Sequence, residues 1–367
     1  MNPNRNSILT ALLIPFSLIY GAGVFLRNLF FDTGIFRSRE FPFPVITVGN
    51  ITVGGTGKTP HVEYLVSFLK DEFKIAVLSR GYRRKSSGFV VASTTSGAED
   101  VGDEPLQIKK KFPVAEVAVS ADRVKGIHDL CRYNPKIQAF ILDDAFQHRW
   151  VRPGMSILLI DYNRPVGRDL LLPAGRLREP VSSMKRAVIV IVTKCPPSLP
   201  PIQRRIIMKE LNLFPWQSLY FTTFTYGNPL PVFEEGDPFP DKVKFRANKT
   251  PVLMVTGIAT PEVFRQYLRN LSAEIKQLTF PDHHNYTRRD IQRIVKEWQA
   301  IANEQKVLIT TEKDAVRLQK TPGIDPGLRS KMYYIPISVR FIENDGESFK
   351  KKISKYVRKN KRNHLIS

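Results

Sequence analysis

The chain has 367 residues, of which 42% are hydrophobic and 25% charged, as in an average globular protein. This length predicts roughly two domains whose cores need no disulfides, and it excludes a mini-protein, a disordered chain and a multi-span membrane protein. The 56 Lys and Arg residues against 34 Asp and Glu residues give a formal charge of +22, which attracts phospholipids, nucleic acids or phosphorylated metabolites. Two cysteines, Cys131 and Cys195, are too few for a disulfide framework and indicate the reducing cytosol.

The first predicted element is an uncharged run of twenty residues from Ser7 to Leu26, bracketed by Arg5 and Arg27. A helix of this length would span about 30 Å, the thickness of a bilayer core. Ser, Thr, Pro and Gly residues dilute the run, however, and arginines and phenylalanines follow it, which is typical of helices in the headgroup zone. We therefore favour an interfacial anchor, with a transmembrane span and a helix packed on the protein's own core as alternatives. A cleaved signal peptide fits poorly, because no small-x-small cleavage site precedes the nucleotide motif and that motif needs cytosolic ATP.

A buried strand, a glycine-bearing loop and an amphipathic helix from Pro60 follow in the stretch VITVGNITVGGTGKTPHVEYLVSFL. This is the context of a P-loop, in which backbone N–H groups at a helix N-terminus hold phosphate oxygens. We expect Lys58 to reach the β- and γ-phosphates and the Thr59 hydroxyl to meet Mg²⁺. The predicted phosphate-binding residues are Thr52, Val53, Gly54, Gly55, Thr56, Gly57, Lys58 and Thr59.

The loop departs from the strict P-loop pattern at one position. Thr52 stands where the pattern has its first glycine, five residues before Gly57. Gly49, Gly54 and Gly55 can supply the missing backbone flexibility. Glycine is needed in such a loop because side chains would block the approach of phosphate. The alternative is a glycine-rich turn whose lysine is incidental.

Seven short runs between Val45 and Val192 predict β-strands. Most are β-branched and nearly unbroken, as strands buried on both faces by crossover helices are. The sequence therefore predicts an α/β fold with a P-loop NTPase-like, mostly parallel, doubly wound sheet. The runs are Val45 to Val48, Lys74 to Leu78, Phe89 to Val91, Val117 to Ser120, Ala139 to Leu142, Ser156 to Ile160 and Ala187 to Val192.

Acidic residues follow two of these runs. Asp103 and Glu104 in the motif GDEP are placed in a turn of the P-loop half, where one could act as the base that deprotonates a hydroxyl acceptor; a solvated turn is the alternative. Asp143 and Asp144 follow the apolar run AFIL, as the acids that organise Mg²⁺ do in P-loop folds. A helix N-cap or a turn is the alternative for this pair.

The nucleotide is predicted to be ATP. Guanine-specific relatives read the base with Asn/Thr-Lys-x-Asp after a strand. Here Thr193 and Lys194 follow a strand, but Pro196 stands where the aspartate should be. This departure argues against GTP and leaves ATP.

A proline-rich connector from Asn228 to Lys249 predicts a domain boundary, followed by a shorter α/β unit. Its predicted elements are strand Pro251 to Thr256, helix Pro261 to Leu271, helix Arg288 to Asn303 and strand Lys306 to Thr310. In its loop FPDHHNY, His283 lies between Asp282 and His284 and could reach the reacting groups from a different domain. A metal triad is the alternative, but no further His or Cys stands at ligand spacing.

The C-terminal segment FKKKISKYVRKNKRNHLIS predicts a basic amphipathic helix. Its cations suit anionic lipid, with a solvated helix docked on its own domain as the alternative. Nucleic acid is disfavoured because no nucleic-acid-binding motif accompanies the basic residues. The predicted organisation is residues 1–40 as a membrane-associating lead-in, 41–225 as the P-loop domain, 226–345 as the smaller C-terminal α/β domain and 346–367 as the basic helix.

Eight motifs together resemble the tetraacyldisaccharide 4'-kinases, the lipid A 4'-kinases, over roughly residues 8 to 340. They occur in the order seen in that family, and several are rare outside it. The motifs are GNITVGGTGKTP, SRGY (79–82), GDEP (102–105), DDAFQH (143–148), LPAGRLREP (172–180), VTK (192–194), FPDHHNY (280–286) and TTEKDAVRL (310–318).

This resemblance implies a P-loop enzyme at the cytoplasmic face of the bacterial inner membrane. It would transfer the γ-phosphate of ATP, with Mg²⁺, to the 4'-hydroxyl of a tetraacyl glucosamine disaccharide 1-phosphate and make lipid IVA. The implied partners are this lipid and the anionic membrane surface, without nucleic acid, and we expect a monomer. A P-loop ATPase or partner-binding switch that phosphorylates no acceptor is the alternative from a different class.

The resemblance also implies roles for individual residues. Asp103 would be the base, assisted by His283, and Lys58 would complete the catalytic set. Two further sets are implied: Thr59, Glu104, Asp143 and Asp144 for Mg²⁺ and the active site, and Arg80, Tyr82, Gln147, His148 and Arg178 for the substrate or its phosphate. Two departures concern local loop shape, since Arg176 stands where the family commonly has proline and Ala145 where it has glycine.

Overall fold

The computed structural model describes residues 3–258, 261–282 and 284–360, which form two compact units. The P-loop unit comprises residues 1–94, 108–224 and 339–367, and the second unit comprises residues 95–107 and 225–338. Residues 95–107, which include the GDEP motif, thus group with the second unit, although the sequence analysis assigned them to the P-loop half.

The α-helices and β-strands of the described residues alternate along most of the chain. The α-helices are α1 (Pro3–Asp32), α2 (Lys58–Leu69), α3 (Ala98–Val101), α4 (Asp103–Lys111), α5 (Arg123–Tyr133), α6 (Pro201–Leu211), α7 (Lys242–Ala247), α8 (Pro261–Leu268), α9 (Arg288–Gln299), α10 (Glu312–Leu318), α11 (Pro326–Arg329) and α12 (Asp345–Asn360). The strands are β1 (Val45–Gly49), β2 (Ile75–Ser79), β3 (Val90–Val91), β4 (Glu116–Val119), β5 (Ala139–Asp143), β6 (Met155–Asp161), β7 (Ile189–Thr193), β8 (Ser218–Tyr226), β9 (Leu230–Pro231), β10 (Val252–Thr256), β11 (Ile275–Thr279), β12 (Val307–Thr311), β13 (Met332–Ile335) and β14 (Ile337–Phe341).

A nine-stranded sheet has the order β14-β8-β7-β6-β1-β5-β2-β4-β3. The strands from β8 to β4 pair in parallel, whereas the short β3 is antiparallel to β4. Strands β1, β2, β5, β6 and β7 are buried along their whole length, which explains their nearly continuous apolar sequences. The predicted α/β fold is confirmed.

The second unit contains a five-stranded sheet of order β11-β10-β12-β13-β9, in which only β9 is recorded as antiparallel. Alternate residues of β10 enter different cores. Leu253 and Val255 join the apolar side chains of α9, whereas Val252 and Met254 join those of α7 and α8. Helices therefore cover both faces of this sheet, and the predicted irregular connector from 228 to 249 contains β9 and α7.

Helix α1 packs on the P-loop unit along one narrow stripe and exposes most of its apolar side chains. Val24 is buried, and Ser17 and Tyr20 form hydrogen bonds to the body of the unit. The exposed apolar residues include Leu12, Phe16, Leu18, Ile19, Phe25 and Leu26. By length and composition Thr10–Asp32 could cross a membrane, and 11% of its most apolar window is buried. Packing on the core therefore accounts for one stripe of the helix only.

Helix α12 is docked on the P-loop unit. Phe349, Ile353 and Val357 are each at most 2% exposed, and Tyr356 forms a hydrogen bond to the carbonyl of Val45. The apolar face that could have entered a membrane is thus covered by the protein itself. The docked alternative holds for the described part of this segment, while residues 361–367 lie outside the described residues.

Candidate active site

The P-loop lies where β1 ends and α2 begins. Helix α2 starts at Lys58, two residues before the predicted start, and Gly57 caps it with a left-handed φ of 86°. Gly54 is also left-handed, with φ 103°. Glycine adopts such angles without strain, and a Cβ at Gly57 would lie 2.5 Å from the Phe224 ring. The backbone therefore bends in this loop in a way that requires glycine.

Hydrogen bonds from neighbouring segments hold the loop in this shape. The Asn50 amide donates to the Thr56 hydroxyl (3.0 Å), and the Thr193 hydroxyl donates to the Thr56 carbonyl (2.9 Å). Lys194 donates to the Gly55 carbonyl and lies 2.7 Å from the Asp161 carboxylate. Thr193 and Lys194, which were considered above as part of a guanine-recognition motif, thus support the P-loop.

His61, in the second turn of α2, also supports the loop. Its Nδ1 donates to the Gly57 carbonyl (2.8 Å), so its Nε2 accepts from the Thr222 hydroxyl (3.1 Å). The side chain is 4% exposed, and burial lowers the pKa of His61 to about 4. The ring is therefore neutral at pH 7.

The two adjacent aspartates lie beside the loop because β5 pairs with β1, with Asp143 opposite Val48. Asp143 is fully buried and accepts a hydrogen bond from Ser79 (3.4 Å). Asp144 is left-handed (φ 47°) and lies 3.5 Å from Lys58 and 3.4 Å from Arg178. Burial alone would raise the pKa of Asp144, but these two cations outweigh it, so its pKa lies below the usual range.

A loop running from Leu170 to Glu179, here called the 170–179 loop, pairs with the P-loop through its backbone. The Val53 N–H donates to the Arg176 carbonyl (2.8 Å), and the Arg178 N–H donates to the Ile51 carbonyl (2.7 Å). Thr52 and Leu177 form an antiparallel bridge between these contacts. This pairing directs the Arg178 side chain to Asp144. Arg176, one of the departures from the family pattern, contributes through its backbone.

Arg123 lies beneath the aspartates and was not predicted. It is 2% exposed and donates to the carbonyls of Ser120 (2.7 Å) and Asp143 (3.2 Å). Burial lowers the pKa of Arg123 to about 10, even though Asp143 and Asp144 oppose the shift, so the side chain remains charged at pH 7. In the sequence, Asp122 indicates that a helix starts at Arg123, because aspartate is a common N-cap residue, but it does not indicate where the Arg123 side chain lies.

The other predicted substrate residues of the P-loop unit differ in their surroundings. Tyr82 is 60% exposed, and Arg80 is exposed as well. Gln147 donates to the Asn50 carbonyl and so supports the segment before the P-loop. Burial, and then the nearby positive charge of Arg123, lower the pKa of His148 to about 4.

Asp103 and Glu104 lie in the first turn of α4 rather than in a turn between strands. Asp103 forms an ion pair with Arg317 of α10, at 2.5 Å from Nη2 and 2.9 Å from Nε. Glu104 pairs with Lys313, one helical turn earlier on α10, at 3.3 Å. The motif TTEKDAVRL was quoted above only for the family resemblance. Its Lys313 and Arg317 side chains hold the GDEP motif through these two ion pairs.

The same segment is fixed in the second unit through Asp314. This carboxylate is fully buried and accepts from the Gly257 N–H (3.0 Å) and the Thr311 hydroxyl (2.7 Å). It also lies 3.2 Å from Arg317, whose side chain is 3% exposed. Arg317 thus holds Asp103 from a rigid position.

His283 lies outside the described residues. Asp103 belongs to the second unit, as do Asp282 and His284. The assistance of Asp103 by His283 stays a prediction. His284 lies 3.0 Å from Asp290. Among the described residues, no group of three His, Cys, Asp or Glu side chains could hold a metal, so the alternative metal triad gains no support there.

The geometry agrees with the comparison to known proteins. The family described as tetraacyldisaccharide-1-P 4'-kinase, LpxK, matches residues 9–358. The chain belongs to this family. It is 49% identical to the tetraacyldisaccharide 4'-kinase of Phocaeicola vulgatus over 357 residues, 97% of each chain. It is 48% identical to the enzyme of that name from Bacteroides thetaiotaomicron over 361 residues, 97% of this chain and 95% of that one.

A solved LpxK structure shares the fold. The crystal structure of the "apo" form of LpxK from Aquifex aeolicus in complex with ATP is 31% identical, with a TM-score of 0.73, and covers 95% of this chain and 99% of that chain. The likeness extends over both units rather than over the P-loop region alone. The resemblance on which the sequence analysis rested is therefore confirmed for the fold and the family.

Within each unit, several residues that hold the predicted functional residues or their loops in place were not predicted from the sequence. They are His61, Arg123 and Glu179 in the P-loop unit and Lys313 and Arg317 in the second unit. Two of the motifs quoted for the resemblance, LPAGRLREP and TTEKDAVRL, contain Glu179, Lys313 and Arg317. Glu179 has one of its two ionic partners, Arg27, 152 positions away, and the partners of Lys313 and Arg317 are 209 and 214 positions away, so the motifs alone could not assign these contacts.

Proposed function

We propose that this chain transfers the γ-phosphate of ATP to the 4'-hydroxyl of a tetraacyldisaccharide 1-phosphate, which yields lipid IVA. The observation that carries the proposal is the glycine-bent loop at the end of β1, with Lys58 opening α2 and lying 3.5 Å from the Asp144 carboxylate. Relatives named tetraacyldisaccharide 4'-kinase align with 97% of the chain, and the Aquifex LpxK was crystallised with ATP. Both findings support a lipid kinase that uses ATP.

The P-loop supplies most of the phosphate contacts in this proposal. Residues 52–59 present backbone N–H groups and the N-terminus of α2 to the triphosphate, and Lys58 neutralises the charge on its β- and γ-phosphates. Phosphoryl transfer needs positioning and neutralisation of charge more than covalent help. A loop braced by Thr193, Lys194 and His61 meets this need because it holds its shape before ATP arrives.

Mg²⁺ fits the donor set beside the loop. The Thr59 hydroxyl and the carboxylates of Asp143 and Asp144 are hard oxygen donors, and Mg²⁺ usually takes one or two carboxylates together with phosphates and water. When bound, the ion neutralises charge on the β- and γ-phosphate oxygens. Glu104, the fourth residue proposed for the metal, has Lys313 as an ionic partner in the second unit.

Asp103 is the proposed base, and His283 is proposed to assist it. Its carboxylate, which pairs with Arg317, is proposed to accept the proton of the 4'-hydroxyl as that oxygen attacks the γ-phosphate and the bond from the γ-phosphorus to ADP breaks. Arg317 also fixes the direction of the carboxylate through two N–H groups.

The residues proposed to contact the acceptor lie on the surface and beside Asp144. Arg80 and Tyr82 are exposed and can reach a bound lipid, and Arg178 projects into the site beside Asp144. Gln147 and His148 belong to the DDAFQH motif that carries Asp143 and Asp144. An anionic 1-phosphate on the acceptor suits the arginines.

The acceptor lipid and the exposed face of α1 support a position at the cytoplasmic face of the inner membrane, since ATP is cytosolic. Leu18 and Ile19 are 70% and 72% exposed among the residues that the structure describes. A net charge of +22 adds attraction to anionic lipid. We propose a monomer that is anchored through α1.

The test supplies purified protein with Mg²⁺, γ-labelled ATP and the disaccharide lipid in mixed micelles. We expect label in the lipid, and we expect Asp103→Asn to lower kcat by about 10²- to 10⁴-fold, as the loss of a general base does. Glu235→Gln, an exposed carboxylate of the second unit, is the control and should leave kcat unchanged. Release of inorganic phosphate without labelled lipid would instead indicate an ATPase switch.

A further inference from the structure

A buried carboxylate joins α1 to the body of the P-loop unit. Glu179 is fully buried, and its two oxygens form ion pairs with Arg27 of α1 and with Arg186. A buried charge is costly unless it is paired, so these arginines are what makes Glu179 tolerable in the core. None of the roles proposed above uses this cluster.

The same helix holds the 170–179 loop at two further points. The Ser17 hydroxyl donates to the Leu171 carbonyl and accepts from the Ala174 N–H, each at 2.9 Å. The Tyr20 hydroxyl donates to the Arg178 carbonyl, also at 2.9 Å. Ser17, Tyr20 and Arg27 lie on one stripe of α1, so a single face of the helix holds most of the loop.

The opposite side of this loop forms the nucleotide site. Arg176 and Arg178 pair with the backbone of Val53 and Ile51, and the Arg178 side chain lies 3.4 Å from Asp144. The residues next to Glu179 in sequence therefore contact the P-loop directly. A shift of Glu179 would move Arg178 with it, because the two are joined by one peptide bond.

We propose that Glu179 and Arg27 are positioning residues through which α1 holds Arg178 against Asp144 and the P-loop. The inference rests on the proposed kinase function and deepens it. The exposed face of α1 meets the membrane, and its inner face sets the geometry of the phosphate site. The enzyme is therefore catalytically competent only when α1 is docked on the P-loop unit.

The test compares Arg27→Met with Arg149→Met. Arg149 also joins α1 to the body, through Asp32 and the Asn28 carbonyl, but it contacts neither Glu179 nor the 170–179 loop. Glu179 stays paired with Arg186 in Arg27→Met, so the variant should fold. In the labelled-lipid assay we expect Arg27→Met to lower kcat about tenfold with KM for ATP changed less than about twofold, Arg27→Lys to restore most of the rate, and Arg149→Met to resemble the wild type.

A double-mutant cycle identifies the route of the effect. If α1 acts through Arg178, Arg27→Met should slow Arg178→Met no further, because the interaction that it positions is already absent. Additive losses in the double variant, or equal losses in Arg27→Met and Arg149→Met, would overturn the proposal.

Hydrogen exchange keeps the inference testable if the kinase assay itself fails. Arg27→Met should speed exchange in the 170–179 loop and in residues 50–56, and Arg149→Met should not. Unchanged exchange at both segments would refute the coupling. If Arg27→Met shows faster exchange at both segments, Arg149→Met does not, and the wild-type protein labels no lipid, the coupling stands and the proposed function alone is refuted.

Discussion

At the scale of single residues, the proposed phosphate site depends on a balance of charge. Lys58 and Arg178 both lie within 3.5 Å of Asp144, so two cations share one carboxylate before any ATP is present. In the proposed function, the γ-phosphate of ATP competes for the same two cations. This arrangement keeps the aspartate ionised and the two cations at fixed positions, as electrostatic preorganisation requires.

Lys58→Met tests this balance. The substitution keeps most of the side-chain length but removes the charge, so we expect turnover to fall by about 10²- to 10³-fold, the usual cost of one transition-state contact. Lys70→Met, at the end of the same helix where the lysine pairs with Asp71, should keep normal turnover. Steady-state kinetics with ATP and the lipid measure both, and a Lys58→Met enzyme with wild-type turnover would reject the assigned role of Lys58.

At the scale of elements, the sequence predicted the elements whose residues are consecutive in the chain. The strand, the glycine-bearing loop and the helix with Lys58 are consecutive in sequence, and the structure contains them within two residues of the predicted start of α2. Strands β8, β9, β11, β13 and β14 were not predicted. Several of their residues are only partly buried, so their apolar pattern is weak.

The contacts that organise the site could not be predicted because they join residues far apart in the chain. Asp103 and Arg317 are separated by 214 positions, and Arg27 and Glu179 by 152. A charge pattern shows that such residues need partners, but only the fold chooses the partner. For the same reason the GDEP motif was assigned to the wrong unit.

His61 gives the P-loop helix a defined dependence on pH. Its folded pKa of about 4 lies below the unfolded value of 6.5, so the unfolded chain binds more protons between these values. Stability should therefore fall as the pH drops from 6.5 to 4, by about 3 kcal/mol from this residue. Urea unfolding at a series of pH values measures it. His61→Gln should flatten this part of the profile, His128→Gln should not, and equal profiles for all three proteins would contradict the assignment.

At the scale of the whole molecule, the two ends of the chain differ although both read as surface helices in sequence. The apolar face of α12 is buried against its own unit. Helix α1, by contrast, keeps an exposed apolar face and contacts the unit along the stripe that includes Tyr20. The net charge of +22 acts over the whole surface. Membrane attachment is thus expected to combine insertion at α1 with general attraction to anionic lipid.

The exposed face of α1 can be tested without disturbing its inner face. Phe16 and Ile19 are 60% and 72% exposed, so the double substitution Phe16→Ser and Ile19→Ser leaves the fold intact. We expect binding to anionic vesicles to weaken by about tenfold or more, because two large apolar side chains no longer insert. KM for the lipid should rise more than KM for ATP. Val114→Ser, at a 69% exposed site, is the control, and equal rises in both KM values would argue for a merely structural helix.

The most direct measurement is a crystal structure of the full chain with Mg²⁺ and a non-hydrolysable ATP analogue. We predict the triphosphate in the curve of residues 52–59, with the Lys58 ammonium on its β- and γ-phosphates and the Thr59 hydroxyl directed at the metal. A triphosphate bound elsewhere, with this loop unchanged and Lys58 still paired with Asp144, would contradict the account.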